Sequence, residues 1–365
     1  TTFRKDTYET DSRNPEIEKA SDLVTDLSRR DFTINSIAYS LETNELIDPF
    51  SGLKDLASGT ISTPDDPIIS FSDDPLRMLR VCRFASTHGF SPDNETYIAM
   101  KENIERIKII TKERIRDEIN KLLVGKSPSM GIRTLVESGL SLYIIPEINE
   151  LKIEVDPKHH HKDVYEHTLA VLDGVPPKLT LRMGALLHDI AKPNTKGIEN
   201  GKVHFRHHEV VGARMTKKIL KGLKYDNKTI EDIALLVEQH LRPHTFKMGW
   251  TDSAVRRYIV DAGHMLEDLN ELVRADVTTK NKIKAKEIYE NLDEMEKRIE
   301  EVKAKEELSK IRPALSGDEI MEHFNIQPGP KVGVIMKALY EQRINDGEVS
   351  KEDALKLAEE TYKNL

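Results

Sequence analysis

Asp73-Asp-Pro-Leu-Arg-Met-Leu-Arg-Val-Cys-Arg-Phe-Ala85 is the stretch at which the chain turns helical. Asp74 ahead of Pro75 reads as an N-cap followed by proline at the first helical position, where the missing N–H is not needed. Leu76, Leu79, Val81, Phe84 and Ala85 supply the apolar positions that follow. Downstream the helical pattern persists. Residues 94–106, 112–124, 128–138, 164–173, 180–191, 207–222, 229–239, 252–261 and 265–276 all read as helices. A long charged helix is predicted over 281–309, with Ile288, Leu292, Met295 and Ile299 at three- and four-residue spacing. Pro313 ends it, and Gln327-Pro-Gly-Pro-Lys-Val-Gly333 opens a last pair of helices.

Upstream, residues 1–65 mix short β-type runs with polar turns. Phe32-Thr-Ile-Asn-Ser-Ile-Ala-Tyr39 fits a buried strand or a helix, since periodicity does not decide between them. Leu46-Ile-Asp-Pro49 and Ser51-Gly-Leu53 mark turns, and the Pro- and Asp-rich residues 60–70 read as a linker.

The 365 residues suggest two or three domains, at roughly 150 residues each. Aromatics at 5% argue for helix over β-sandwich. No apolar run approaches the roughly 18 residues a membrane span needs, and no secretory signal is expected at the start. Cys82 is the single cysteine, so no internal disulfide can form. Beside Val81 and Phe84 it reads as a small buried hydrophobe, and a reducing cytoplasm fits. A net charge of −8 argues against indiscriminate nucleic-acid coating. It leaves room for a local basic groove, and Arg and Lys cluster around 77–83 and 101–121.

Many of the 13 histidines fall between residues 159 and 244. His167 lies in Val164-Tyr-Glu-His-Thr-Leu-Ala170, and His188-Asp189 ends the apolar run that begins at Leu181. Asp276 ends Leu272-Val-Arg-Ala-Asp276, while His208-Glu209 and His240 begin or end two further helices. Imidazole and carboxylate are natural ligands of borderline divalent ions. Adjacent His and Asp on one helix project about 100° apart, so both can reach one pocket, and ligands from other helices can close it. A metal so held acidifies water for attack on a phosphate ester. Each histidine alone is better explained by a core or surface hydrogen bond; the His-Asp pair with several histidines around it points to metal.

The order His167, His188-Asp189, Asp276 resembles the HD phosphohydrolase superfamily over about residues 158–280. His208 and His240 resemble the extra histidines of members that hold two metals. The resemblance implies a divalent metal, of identity not fixed by the sequence, and phosphodiesterase or phosphatase capacity.

A second constellation is denser. Asp74 and Arg77, three apart at a helix start, read either as a cap with a local ion pair or as a base selector. Cytosine and adenine both present an amino donor beside a ring-nitrogen acceptor; guanine and uracil present the reverse. A carboxylate only accepts and a guanidinium only donates, so one Asp–Arg pair holds C and A and leaves G and U opposed.

Leu27-Ser-Arg-Arg-Asp31, Asp73-Asp-Pro-Leu-Arg77 and Ile110-Thr-Lys-Glu-Arg114 resemble the class II CCA-adding tRNA nucleotidyltransferase and poly(A) polymerase family. The resemblance implies that Arg29, Arg30 and Asp31 contact ribose and phosphates. It implies nucleotide contacts from Asp74, Arg77, Arg80, Arg83 and Arg114. Asp73 replaces the family's usual Glu and leaves the Asp–Arg pair intact. Asp11-Ser-Arg13 resembles the flexible loop, with Asp11 and Arg13 as its functional positions and Ser12 where Gly is usual.

The fold so implied is mostly α with a small mixed α/β front. It comprises the incomplete head sheet (1–65), a helical neck and body (66–150), an all-helical HD domain (151–280) and a helical, tRNA-binding tail (281–365). The implied reaction is addition of CCA from CTP and ATP to tRNA with Mg2+. An A-adding or CC-adding relative, a metal-dependent phosphodiesterase or phosphatase with a vestigial front, and a non-enzymatic RNA binder are the alternatives. The family's paired Asp-x-Asp carboxylates precede the segment that begins at Thr1, so the polypeptide as it stands is expected to bind nucleotide poorly and add nothing. A missing or separate N-terminal segment is expected to supply them.

Overall fold

The computed structural model describes residues 4–7, 16–19, 22–153, 163–200, 202–279, 281–305 and 312–365. Asp11 and Arg13 lie outside the described residues. The chain divides into two compact units, residues 1–240 and 241–365.

The first unit opens on an antiparallel pair, β1 (Arg4–Thr7) and β2 (Glu16–Lys19), with Arg4 opposite Lys19. Helix α1 (Leu23–Ser28) is capped by Asp22, whose carboxylate accepts the Thr25 N–H at 2.9 Å. A second antiparallel pair joins β3 (Ala38–Ser40) to β4 (Glu45–Ile47), and α2 (Gly52–Ser58) follows. Phe32–Tyr39 is thus neither one strand nor one helix: a 3-10 turn covers Thr33–Asn35 and the strand starts at Ala38. Its backbone is satisfied otherwise. The Thr33 N–H reaches the Ser62 carbonyl at 2.9 Å, and the buried Ser36 hydroxyl donates to the carbonyls of Leu27 and Phe32.

Residues 60–70 are not a linker. β5 (Thr60–Ile61) pairs in parallel with β6 (Ser91–Pro92), and α3 (Pro67–Asp73) begins between them. The Pro and Asp that suggested a linker are helix-start signals: Asp66 accepts the Ile68 N–H at 2.8 Å, and Pro67 takes the first position.

Helix α4 (Leu76–His88) is buried on almost every side by Met78, Leu79, Val81, Cys82, Phe84 and Ala85. It ends at Gly89, whose φ of 73° is the left-handed cap a glycine adopts freely. α5 (Asn94–Glu102) is shorter than expected, because the chain tightens into a 3-10 helix over Ile104–Ile109. α6 (Lys112–Leu123) buries one stripe, Ile115, Ile119, Leu122 and Leu123, at helical spacing. α7 (Pro128–Glu137) approaches α4 at Gly131, where a Cβ would stand 2.8 Å from the Cys82 carbonyl oxygen.

Short helices α8 (Ser141–Ile144) and α9 (Glu147–Glu150) precede α10 (Val164–Gly174), α11 (Leu179–Leu187) and α12 (Lys192–Thr195). A hairpin of β7 (Lys196–Glu199) and β8 (Lys202–Phe205) interrupts the helical run. Then α13 (His208–Gly222) and α14 (Asn227–Gln239) form an antiparallel pair.

The second unit holds α15 (Asp252–Ala262), α16 (Leu266–Ala275), α17 (Lys282–Lys305), α18 (Gly317–Phe324), α19 (Pro330–Asp346) and α20 (Lys351–Lys363). Its last three helices close around Leu315, Ile320, Ile335, Leu339, Ala354 and Ala358. α18 is announced by a capping box, Ser316 and Glu319, that the sequence reading passed over. None of the described helices is long and apolar enough to cross a membrane.

Candidate functional site

The end of α11 buries two polar side chains almost completely. Its apolar residues Leu181, Met183, Leu186 and Leu187 are buried, and His188 and Asp189 follow them inward at 0% and 1% exposure. Four imidazoles from four helices meet the Asp189 carboxylate. His167 Nε2 and His188 Nε2 lie 3.4 and 3.2 Å from Oδ2; His208 Nε2 and His240 Nε2 lie 3.3 and 3.9 Å from Oδ1.

Three of these rings are aimed by their own backbones. His188 Nδ1 meets the Ala185 carbonyl at 2.8 Å, His208 Nδ1 the Phe205 carbonyl at 2.7 Å, and His240 Nδ1 the Val237 carbonyl at 2.7 Å. A carbonyl only accepts, so Nδ1 carries the proton and a neutral ring presents the Nε2 lone pair inward. This is the support that orients histidine for a metal. His207 contributes by adopting a left-handed φ of 62° as the N-cap of α13, which starts that helix on His208.

Lone pairs facing a carboxylate at 3.2–3.3 Å repel unless a proton or a cation lies between them. Among the described residues, Asp189 Oδ1 and His208 Nε2 are buried with no hydrogen-bond partner. Asp189, His208 and His240 each offer one ligand atom within 4.8 Å of the others. This donor set fits a divalent ion. Burial raises the Asp189 carboxyl, but positive charge or donated protons from His188, His167 and His208 hold it well below the usual carboxylate range, the role a cation between rings and carboxylate would also fill. Lys192 Nζ also sits 2.5 Å from Asp189 Oδ2. The sequence reading missed it, although its position three residues after Asp189 was a signal. Asp276 belongs to the second unit, at the C-cap of α16, with Oδ2 3.5 Å from His244 Nε2.

The arginine and aspartate cluster is built differently. Asp26 is buried and takes Arg29 at 2.9 Å and Arg30 at 3.5 Å; Arg30 also donates to the Asn35 carbonyl at 2.8 Å. Arg80 reaches the buried Asp31 at 2.6 Å, and Arg83 pairs with Glu118 of α6 at 2.9 Å. Arg77 is 9% exposed and donates to the Ser70 hydroxyl at 2.6 Å and to the Arg29 carbonyl at 2.5 Å. α4 therefore clamps the Arg29–Asp31 segment through Arg77 and Arg80.

The expected Asp74–Arg77 pair on one helix face does not form. Asp74 precedes Pro75, has extended φ and ψ of −131° and 93°, and stands outside the helix, so the three-residue helical rule does not govern it. Asp74 does cap, accepting the Leu76 N–H at 3.2 Å. The guanidinium beside it is Arg114 of α6, at 3.9 Å. Burial raises the neighbouring Asp73 carboxyl, against the pull of Arg77 and Arg106. Asp26, Ser70 and Glu118, which hold these arginines, were not singled out from sequence.

A small β front, an arginine-clamped helical segment and an imidazole–carboxylate cluster follow one another along the chain, and the families that match are those of a polymerase-type nucleotidyltransferase with an HD domain. Three family models match accordingly: the poly A polymerase head domain at residues 1–62, the probable RNA- and SrmB-binding site of polymerase A at 89–152, and the HD domain at 159–276. The chain is 32% identical over 335 residues to the A-adding tRNA nucleotidyltransferase of Deinococcus radiodurans, covering 88% of this chain and 75% of that protein. It is 29% identical over 344 residues to the CC-adding tRNA nucleotidyltransferase of Thermus thermophilus, covering 91% and 76%. Its fold is similar to the crystal structure of the Bacillus stearothermophilus CCA-adding enzyme in complex with CTP, with a TM-score of 0.64 at 22% identity, covering 100% and 79%. The chain belongs to the class II CCA-adding tRNA nucleotidyltransferase family.

Proposed function

We propose that the protein serves tRNA 3′-end maturation, with CTP and ATP as nucleotide donors, tRNA as acceptor and Mg2+ as the ion of transfer. The similarity to tRNA nucleotidyltransferases along nearly the whole chain carries this reading. Residues 1–65 serve as the head part, 66–150 as neck and body, 151–280 as the HD domain and 281–365 as the tRNA-binding tail, in the cytoplasm. Asp74 is the acceptor that selects the amino groups of C and A. Arg77 and Arg114 are its candidate donors, with Arg114 the one beside it. Arg29, Arg30, Asp31, Arg80 and Arg83 shape the ribose and phosphate side, and Asp11 and Arg13 the flexible loop. No residue of this sequence is assigned to hold the Mg2+.

The second reading rests on the imidazoles gathered around Asp189. His167, His188, Asp189, His208 and His240 would hold a divalent cation, with Asp276 assigned on residue order alone. Such a cation supplies an acidified water for phosphate-ester hydrolysis. Around it, the backbone-tied Nδ1 atoms hold three rings in one tautomer, and Lys192 offsets the carboxylate charge.

The test is incubation with tRNA lacking its 3′ CCA and each nucleoside triphosphate in turn. It is run with this chain and with one carrying an upstream Asp-x-Asp segment. Incorporation of C and A with refusal of G and U supports the first reading, and C alone or A alone identifies the narrower relative. No incorporation by either form, with metal-dependent ester cleavage by both, replaces it with the second.

A further inference from the structure

Helix α6 touches the nucleotide constellation directly and reaches the helices that carry the imidazoles at a distance from their ligand ends. On the nucleotide side, Arg114 stands 3.9 Å from Asp74, and Glu118 holds Arg83 of α4. The next polar residues of α6 hold the turn between α13 and α14, which lies at the far end of both helices from His208 and His240, about 20 Å along them. Arg116 Nη1 donates to the Lys224 carbonyl at 2.6 Å, its guanidinium lies over the Tyr225 ring at 5.9 Å, and the Tyr225 hydroxyl donates to Asn120 Oδ1. The first residue of α13 is His208, and His240 directly follows α14. A third link leaves α11, which ends at His188: its buried Arg182 donates to the Leu123 carbonyl at the end of α6, at 3.4 Å.

The Lys224 turn is an unusual place to anchor. Lys224 has a φ of 61°, which a side chain with a Cβ adopts at a cost, and glycine is the common residue there. Its carbonyl is the one that Arg116 holds. Residues 114, 116, 118 and 120 thus alternate partners within two turns of one helix.

We propose that Arg116 and Asn120 are positioning residues through which occupancy of the imidazole–carboxylate site sets the placement of Arg114 beside Asp74. This rests on the metal-site reading above. The coupling is reciprocal by thermodynamic necessity, and such couplings amount to about 5-fold or more in an equilibrium constant. Packed helices transmit it because they shift as units.

The full chain is titrated with Mn2+ in a calorimeter, and amide hydrogen exchange across residues 112–123 is followed with and without the ion. The expected result is exchange in α6 slowed about 5-fold or more on Mn2+ binding. In Arg116→Ala and in the milder Tyr225→Phe that response is lost, while amides of α13 and α14 beside His208 and His240 still slow. A helix that only props the fold would change its exchange equally with and without Mn2+. Mn2+ binding with no effect on α6, or a full response retained in both variants, overturns the inference and leaves the metal site standing. Failure of Mn2+ to bind, with Asp189→Ala indistinguishable from wild type, overturns both.

Discussion

The two constellations of the first unit use the same residue types of charge in opposite ways. Around Asp189, three histidines tie Nδ1 to the backbone and point Nε2 at one carboxylate. Around α4, arginines meet carboxylates or carbonyls already: Arg29 with Asp26, Arg77 with Ser70 and the Arg29 carbonyl, Arg80 with Asp31, Arg83 with Glu118. The first arrangement is the one that we propose holds a divalent ion. The second is largely self-neutralised, and its loosest contact is Asp74 with Arg114. A cluster of charge is therefore no guide to a site until its partners are named; what distinguishes the Asp189 cluster is that imidazoles, not guanidiniums, gather on its carboxylate.

The largest expected effect breaks that comparison at its strong end. Asp189→Ala removes the carboxylate that all four imidazoles face. Divalent-ion affinity measured by calorimetry is expected to fall by at least about 100-fold, beyond the 10- to 100-fold typical of outer-shell partners. Asp189→Asn keeps the volume and is expected to lose affinity almost as far. Retained binding in both would mean that the imidazoles suffice and that Asp189 is a structural counter-ion.

Next in size is Arg77→Ala. The side chain is buried, and its loss strands the Arg29 carbonyl and the Ser70 hydroxyl. Hydrogen bonds to a charged group contribute about 1.5–3 kcal/mol, so the melting midpoint is expected to drop by several degrees. If Arg77 were instead an uncommitted base reader, the midpoint would stay put and only nucleotide preference would change. Arg80→Ala should follow at about 1–3 kcal/mol, because the buried Asp31 keeps Asn35 at 2.9 Å but loses its charged partner.

Legibility in the sequence divided along the same line. The longer helices from α4 onward were visible because their apolar stripes repeat at helical spacing, while the short α8, α9, α12 and α18 were not; His188-Asp189 was visible because two ligand types end an apolar run. What local pattern did not show was pairing between distant segments. Nothing near Arg77 says that its partner is a carbonyl 48 residues earlier, and nothing near Arg83 names Glu118. The Pro- and Asp-rich 60–70 was misread because the same residues serve linkers and helix starts, and only the Asp66 to Ile68 bond decides. Phe32–Tyr39 was undecidable locally, since Ser62 and Leu27 complete its hydrogen bonds from outside.

The smallest expected change in stability sharpens the comparison most. Arg114 has 41% of its side chain exposed and stands 3.9 Å from Asp74, a separation at which solvent screens most of the attraction. Arg114→Ala is expected to alter the melting midpoint by no more than about 0.5 kcal/mol equivalent, in contrast to Arg77→Ala. Its consequence should appear in selectivity: with transfer-competent protein, the ratio of C to U incorporation is expected to fall while the fold stays intact. Arg114→Lys tests the geometry, because an ammonium keeps the charge and loses the planar fork of donors. Rescue by lysine would reduce Arg114 to a screening charge. Failure of lysine to rescue, with stability unchanged, would identify Arg114 as the arginine of the cluster whose donors are kept for something other than the protein itself.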